Sequence, residues 1–209
     1  MLPRLMPMLA MPATPFDSLE YSFEFKWDGI RALAAVETTG WRLWGRQRAD
    51  YTERYPELEV LRRLPAGTLV DGELVAFDQD GRPDLSRLLR RHGLTTAWKI
   101  GLARRGCPVH YVLFDLLYHR ESCLVNEPLA WRRQMLADLC QRLDAAGVQF
   151  SAGVIAAGKA FYEAAIAQGH EGVMAKHVAS TYLPGRRSAA WRKIKPRLQG
   201  TCRRREVPS

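Results

Sequence analysis

Cysteine is scarce in this sequence, which has only Cys107, Cys123, Cys140 and Cys202 in 209 residues. The four form no close CxxC pair, and their number is low for a fold held together by disulfides. We therefore expect reduced thiols, as in a cytosolic enzyme.

Long apolar runs and internal repeats are also lacking. No run approaches the roughly 20 apolar residues that cross a bilayer, which argues against a membrane partner. Residues 1–16 are apolar, but four prolines interrupt them and no cleavage-site pattern follows. This favours a packed, irregular arm over a signal peptide. The length suits one catalytic domain, and we expect it in the cytoplasm.

Lysine is scarce as well, because only six of the 31 basic residues are lysines and the rest are arginines. The six are Lys26, Lys99, Lys159, Lys176, Lys193 and Lys195. A lysine can lose its proton and attack an electrophile, whereas an arginine stays charged in proteins. The lysines of such a chain therefore mark candidate chemistry.

Acidic residues are in the minority, and the formal net charge is +9. Such a charge favours a polyanionic partner such as nucleic acid, because neutralised phosphates release their counterions. Compositional drift toward arginine produces the same charge. Charge alone therefore leaves nucleic-acid binding open.

Residues 21–26 alternate strictly between two faces. Tyr21, Phe23 and Phe25 lie on one side, and Ser22, Glu24 and Lys26 lie on the other. This period of two predicts a half-buried strand that presents Glu24 and Lys26 together. Asp28 and Gly29 then predict a turn.

The rest of the chain mixes strands and helices without regular alternation. We predict a hairpin over 31–46 and strands over 68–77, 109–117, 171–178 and 191–196, with a polar loop joining the last two. We predict a short helix over 56–64, a helix after the cap Asp84, a helix after the cap Asn126 and a helix over 160–168. This order favours an α+β fold with largely antiparallel sheets.

Five short motifs follow one another over the chain. Lys26 to Arg31 read KxDGxR, Asp71 to Glu73 read DGE, Tyr111 to Leu117 read YVLFDLL, Glu171 to Lys176 read EGVMAK, and Trp191 to Lys195 read WRKIK. In this order they resemble the motifs of the covalent nucleotidyltransferases, which include ATP-dependent DNA ligases, RNA ligases and mRNA capping enzymes. EFKWDGIRALA and YLPGRRSAAWRKIK resemble the ligase domain of bacterial multifunctional end-joining DNA ligases.

The resemblance implies a fold and its ligands. It implies two antiparallel sheets flanked by helices, an ATP-grasp-like arrangement with ATP and Mg²⁺, or Mn²⁺ as an alternative, in the groove between them. Residues 1–196 would form the adenylation domain and 197–209 a basic tail, with no OB-fold domain. Nicked or broken duplex DNA would be the partner, together with a separate OB-fold, polymerase or end-binding protein.

The resemblance also assigns roles to single residues. Lys26 would be the nucleophile, Glu24 would select adenine, Arg31 and Arg46 would contact the nucleotide, Glu73 would bind ribose or metal, Phe114 would stack on the base, Glu171 would hold metal, and Lys176, Lys193 and Lys195 would contact phosphate. Other interpretations stay open from the residues alone. Phe114 would also suit a core position. Glu73 and Glu171 would suit surface ion pairs with arginines, and Asp28 would suit a turn.

The chemistry explains why a lysine would be needed at position 26. Attack on the α-phosphate requires a neutral amine, so we expect Lys193, Lys195, Arg31 and Mg²⁺ to crowd positive charge around Lys26. The period of two places Lys193 and Lys195 on one strand face.

Two alternatives to DNA ligation remain. An RNA ligase or capping enzyme would use the same lysine with another acceptor. A basic module that binds DNA ends without catalysis would need no nucleophile, and the lysines retained in an arginine-dominated chain argue against it.

Overall fold

Two β-sheets form the centre of the protein. Within residues 1–196, which the computed structural model describes, there are eleven strands, four α-helices and two 3₁₀ helices. The strands are β1 Leu9–Ala13, β2 Ser18–Phe25, β3 Ile30–Glu37, β4 Gly40–Gly45, β5 Thr68–Val75, β6 His110–His119, β7 Ser122–Cys123, β8 Val148–Phe150, β9 Gly153–Ala156, β10 Val173–His177 and β11 Arg187–Ile194. The helices are α1 Leu85–His92, α2 Ala97–Gly106, α3 Leu129–Leu143 and α4 Gly158–Ala167, with 3₁₀ helices over Thr52–Arg54 and Pro56–Arg63.

The strands divide into a five-stranded and a six-stranded sheet. The first sheet has the order β1-β11-β10-β2-β9 and the second the order β4-β3-β5-β6-β7, with β8 also beside β6. All pairs are antiparallel except β1 with β11 and β6 with β8. The predicted α+β fold with largely antiparallel sheets is confirmed.

Alternation along the second sheet separates two hydrophobic clusters. Ala34 and Val70 face one cluster, which α1 and α3 cover. Leu33 and Leu69 face the other cluster, which contains Trp191 of the first sheet. The second cluster therefore joins the two sheets, and the first lies on the opposite face of the second sheet.

Several predicted elements are present. The alternating segment around Glu24 is β2, the hairpin is β3 with β4, and the short helix is the 3₁₀ helix Pro56–Arg63. Asp84 caps α1, because its Oδ1 accepts a hydrogen bond of 2.8 Å from the backbone N–H of Arg87. The helix predicted over 160–168 is α4, which begins two residues earlier.

The N-terminal arm is not irregular throughout, so that prediction was wrong. Residues 9–13 form β1, which pairs in parallel with β11. Pro12 lacks an N–H donor, and it is tolerated because β1 is an edge strand. The predicted polar loop is also shorter than expected, since β11 already begins at Arg187.

The predicted cap of α3 was also wrong. Asn126 does not cap the helix, which begins at Leu129 after Pro128. The backbone N–H of Glu127 donates to the carbonyl of Leu124 at 2.9 Å, and this turn holds the chain out of helical geometry until Pro128. Pro128 is the N-cap residue of α3, and no side chain caps the helix there.

Helix α2 and the short strands β7, β8 and β9 were not predicted. Trp98 and Leu102 on α2 are exposed, so the helix lacks the apolar stripe by which amphipathic helices are recognised. The basic tail predicted over 197–209 lies outside the described residues. In the described part of the chain, no helix has the length and apolar character needed to cross a membrane.

Candidate functional site

A cavity lies between the two sheets, and side chains of both sheets line it. Eight of the predicted site residues line it: Glu24, Lys26, Arg31, Arg46, Glu73, Phe114, Lys176 and Lys193. The other two, Glu171 and Lys195, join the site through ion pairs with Lys26 and with each other. The ten residues come from both sheets, so the fold gathers the whole predicted set.

Lys26 directly follows Phe25, the last residue of β2, and it lines the cavity. Its backbone N–H donates to the carbonyl of Gly172 at 2.9 Å, and its Nζ forms an ion pair with Glu171. Gly172 has φ +147°, and a Cβ there would lie 2.1 Å from the carbonyl oxygen of Ile194. A glycine is therefore required where the chain carrying Glu171 passes Lys26.

Glu171 joins two lysines. Its two carboxylate oxygens bind the Nζ atoms of Lys26 and Lys195. Burial opposes ionisation of Glu171, yet the hydrogen bonds from Lys195 and Lys26 prevail and lower the pKa of the carboxyl below its usual value. The expected crowding by cations is thus only part of the environment, because the direct partner of the Lys26 ammonium is a carboxylate.

The strand-face argument for Lys193 and Lys195 needs correction. β11 ends at Ile194, so Lys195 lies beyond the strand and the period of two does not place it. Lys193 lines the cavity, while Lys195 reaches Glu171 from the chain that follows β11. Lys193 nevertheless lines the same cavity as Lys26, and Lys195 shares the carboxylate of Glu171 with Lys26.

Two further carboxyl groups lie close to Lys26. Burial raises the pKa of Glu73 to about 7, although Arg31 and Lys26 oppose the shift. Burial and the charge of Glu171 raise the pKa of Asp28, while Lys26 and Lys195 lower it. Asp28 was predicted only to shape a turn. Its carboxyl also lies within the electrostatic influence of Glu171, Lys26 and Lys195, as its place in the KxDG motif beside Lys26 would suggest.

The carboxylates suit a metal ion whose other ligands are phosphate oxygens and water. The described residues contain no cluster of three or more metal-ligating side chains. Mg²⁺ is usually held by one or two carboxylates, with substrate phosphates and water supplying the other oxygens. Glu73 and Glu171 fit such a role, and Mn²⁺ would accept the same oxygen ligands.

Glu73→Gln is expected to remove a pH dependence of stability. The pKa of Glu73 is about 7 in the folded protein, above its ordinary value of 4.5. Between these values the folded state holds a proton that the unfolded chain has released, so the wild type loses stability as the pH rises through this window. Glutamine does not titrate. Relative to wild type, the variant should therefore gain on the order of 1–3 kcal/mol of unfolding free energy between about pH 5 and pH 8.

Urea unfolding at several pH values measures this difference. Glu163→Gln is the matched control, because Glu163 is exposed on α4 and should leave the profile of the wild type unchanged. Parallel profiles for wild type and Glu73→Gln would contradict the assignment of the shift to Glu73.

Glu24 and Lys176 form a buried ion pair at the cavity. Their side chains are each 2% exposed, and Lys176 Nζ lies 2.9 Å from Glu24 Oε2. The Lys176 ammonium stands 4.1 Å from the ring centre of Phe114 and 4.6 Å from that of Trp191. Burial lowers the pKa of Lys176 to about 8, which the charge of Glu24 opposes.

Arg31 is held by the second sheet. Its guanidinium makes two hydrogen bonds of 2.6 Å to Asp71, whose carboxylate also accepts one of 2.6 Å from the Tyr182 hydroxyl. The guanidinium carbon lies 4.4 Å from the ring centre of Phe114. Phe114 is only 6% exposed, so it belongs to the core and lines the cavity at once.

Arg133 is a site residue that the sequence interpretation missed. It lies on α3, and its Nη1 approaches Glu24 Oε1 at 2.8 Å. The same guanidinium donates to the carbonyl oxygens of Ser151 at 2.7 Å and Phe114 at 3.3 Å. An arginine among the buried leucines of α3 was the available signal.

Comparison with known proteins agrees with this arrangement. A model of the ATP-dependent DNA ligase domain matches residues 7–195. A DNA ligase of Methanothrix thermoacetophila is 35% identical over 206 residues, which cover 92% of this chain and 36% of that protein. The multifunctional non-homologous end joining protein LigD of Pseudomonas aeruginosa is 36% identical over 185 residues, which cover 86% of this chain and 20% of that protein.

Solved structures show the same likeness. Mycobacterial DNA ligase D complexed with ATP and MES matches with a TM-score of 0.78 and 32% identity, over 91% of this chain and 60% of that chain. The ligase domain of LigD from M. tuberculosis matches with a TM-score of 0.77 and 31% identity. The chain spans only 36% and 20% of the lengths of the two relatives above. This chain belongs to the family of ATP-dependent DNA ligase domains.

Proposed function

We propose that this chain transfers AMP from ATP to Lys26 and then to the 5′-phosphate of nicked or broken duplex DNA, as the adenylation domain of a DNA ligase. The observation that carries the proposal is the position of Lys26 in the wall of the cavity between the two sheets, in contact with Glu171. The names of the relatives, which include DNA ligases and an end-joining protein, support DNA as the acceptor.

The first step needs a free amine. Lys26 leaves its ion pair with Glu171 and gives a proton to water, and the electron pair on Nζ then attacks the α-phosphorus, with a second proton passing from nitrogen to water. A phosphoramidate bond forms, the bond between the α-phosphorus and the bridging oxygen breaks, and pyrophosphate leaves. Lys193 and Lys195 stand where they can stabilise the negative charge that pyrophosphate carries away. A Mg²⁺ held by Glu73 and Glu171 would neutralise phosphate charge.

Two transfers complete the reaction. An oxygen of the DNA 5′-phosphate attacks the phosphorus of the lysyl adenylate, the bond between phosphorus and nitrogen breaks, and the Lys26 nitrogen takes up a proton from water and leaves as the amine. The DNA 3′-hydroxyl then attacks the 5′-phosphate phosphorus, the phosphodiester bond forms, and AMP leaves. Positive charge around the departing groups favours both transfers.

The nucleotide contacts implied by the resemblance fit the lining of the cavity. Glu24 would select adenine from the buried end and Phe114 would stack on the base, while Arg31 and Arg46 would contact the nucleotide and Lys176 the phosphate. Separate OB-fold, polymerase or end-binding proteins are proposed partners. The cytoplasm is the proposed location, because ATP and DNA are both available there.

The test is mass spectrometry of the intact protein after incubation with ATP and MgCl₂. The expected result is a gain equal to one AMP residue, which peptide mapping assigns to Lys26. The adenylated protein should lose this mass to a nicked DNA duplex with a 5′-phosphate and keep it with a nicked RNA duplex. No mass gain with Mg²⁺ or Mn²⁺ would overturn the proposal, and transfer to RNA alone would change the acceptor.

Arg133→Met is expected to weaken discrimination between nucleotides. Arg133 orients the Glu24 carboxylate, so without it Glu24 loses one of two buried partners and its fixed direction. We expect the KM for ATP in adenylation to rise about tenfold and the preference for ATP over GTP to fall by a similar factor. The rate at saturating ATP should change much less.

The selectivity ratio separates positioning from folding. A variant that is merely destabilised would lose active protein without altering the ratio of the two nucleotides. Arg133→Lys keeps the charge without the planar fork, and it should restore part of the ratio. An unchanged ratio in Arg133→Met would remove Arg133 from the site.

A further inference from the structure

A second cavity lies away from the proposed adenylation site. Arg63, His119, Arg120 and Arg142 line it together with Leu64, Pro65, Leu139 and Leu143. The three leucines belong to the hydrophobic cluster that covers the outer face of the second sheet. The cavity is therefore on the side of that sheet opposite the nucleotide cavity, and it shares none of its residues.

Three separate segments of the chain bring the basic groups together. Arg63 ends a 3₁₀ helix, His119 ends β6, Arg120 lies in the turn between β6 and β7, and Arg142 is in the last turn of α3. Arg120 has φ +48°, a left-handed conformation that side chains rarely adopt. The convergence is thus a product of the tertiary fold and not of a run of arginines in the sequence.

The basic groups lack an acidic counterpart. None of the eight lining residues is acidic. Within residues 1–196, neither Arg63 nor Arg120 nor Arg142 takes part in an ion pair. All three arginines are exposed and unpaired within that range, so their guanidinium donors are free for an anion that enters the cavity from solvent.

His119 lines the cavity together with the arginines. Its Nδ1 is buried and has no hydrogen-bond partner in the described part of the chain. Because solvent does not reach this atom, His119 serves as a reporter of charge in the cavity and the arginines are the groups that contact an anion. Burial and the charges of Arg120 and Arg142 lower the pKa of His119, which shows that both arginines act on the ring.

We propose that the cavity lined by Arg63, His119, Arg120 and Arg142 binds a phosphate group. Guanidinium groups form paired, planar hydrogen bonds with phosphate oxygens. The phosphate comes either from a nucleic-acid backbone or from a free phosphorylated compound. With DNA as the source, the cavity anchors the duplex at a point remote from Lys26.

The test compares two variants of equal charge. Arg63→Gln/Arg120→Asn/Arg142→Gln removes three charges from the cavity, and asparagine is chosen at 120 because it tolerates the left-handed conformation. The control Arg90→Gln/Arg104→Gln/Arg105→Gln removes three charges from exposed positions on α1 and α2. Neither variant alters the adenylation site, so lysyl adenylate formation should be unchanged in both.

The first readout is the imidazole ¹⁵N signal of His119 in labelled protein, assigned with His119→Gln. Inorganic phosphate should shift this signal in a saturable way in wild type and control, and not in the cavity variant. The second readout is the affinity for a fluorescent DNA duplex without ATP. A DNA source predicts at least a fivefold greater loss in the cavity variant than in the control, with a salt slope smaller by about 0.9 per lost phosphate contact.

Each outcome decides the proposal. A phosphate-dependent shift with equal duplex affinity in both variants identifies a free phosphorylated ligand. A shift together with selective loss of duplex affinity identifies the nucleic-acid backbone, and selective loss alone identifies the same source. Absence of the shift together with equal duplex affinity overturns the proposal. Since neither readout requires Lys26 or ATP, its failure is distinct from failure of the adenylation reaction.

Discussion

Lys26→Arg is expected to abolish covalent attachment of AMP while the fold stays intact. Arginine keeps the positive charge and can retain the ion pair with Glu171. It cannot lose its proton near neutral pH, so it has no lone pair to attack phosphorus. Loss of the nucleophile removes the whole covalent step, and we expect adenylate to fall by at least about a thousandfold.

Labelling with α-³²P ATP and intact mass measure this loss. Lys99→Arg is the matched control, because Lys99 is an exposed lysine on α2 outside the cavity, and it should label like the wild type. Thermal unfolding should show both variants within a few degrees of wild type. Labelling of Lys26→Arg at the wild-type level would assign the nucleophile to another residue.

Local patterns predicted the elements that carry Lys26. The alternation over 21–26 gave β2 and the side on which Glu24 and Lys26 both lie, since one period of two determines both facts. The cap Asp84 was predictable for a similar reason, because its hydrogen bond spans only three residues. The strand β1 was not predictable in this way, since its pairing with β11 joins residues nearly 180 positions apart.

The ionic contacts of the site show the same contrast between neighbouring residues and residues distant in sequence. The motif lysines were recognisable, but their partners were not, because Glu171 meets Lys26 across 145 residues. The expected surplus of positive charge around Lys26 overlooked this carboxylate, which forms ion pairs with two lysines at once. Arg133 was missed because its partner Glu24 is likewise distant in sequence, and no local spacing links the two.

Arg132→Met is expected to be the most destabilising of the substitutions considered. Arg132 and Asp115 are fully buried, with hydrogen bonds of 2.7 and 2.9 Å between them. Nη1 of Arg132 also donates to the carbonyl of Ser180 at 3.0 Å. Methionine preserves the volume but leaves the Asp115 charge buried without its partner, which costs about 3–5 kcal/mol. In a domain of this size Tm should fall by roughly 10 °C.

A double variant separates the loss of a partner from the loss of the pair. Replacing both residues, as Arg132→Met/Asp115→Leu, removes the stranded carboxylate and should recover part of the lost stability. Arg62→Gln is the control, because the ion pair of Arg62 with Glu59 is exposed and contributes at most about 1 kcal/mol. Urea unfolding of the four proteins gives the comparison. Equal stability of Arg132→Met and Arg62→Gln would show that the ion pair between α3 and β6 does not stabilise the fold.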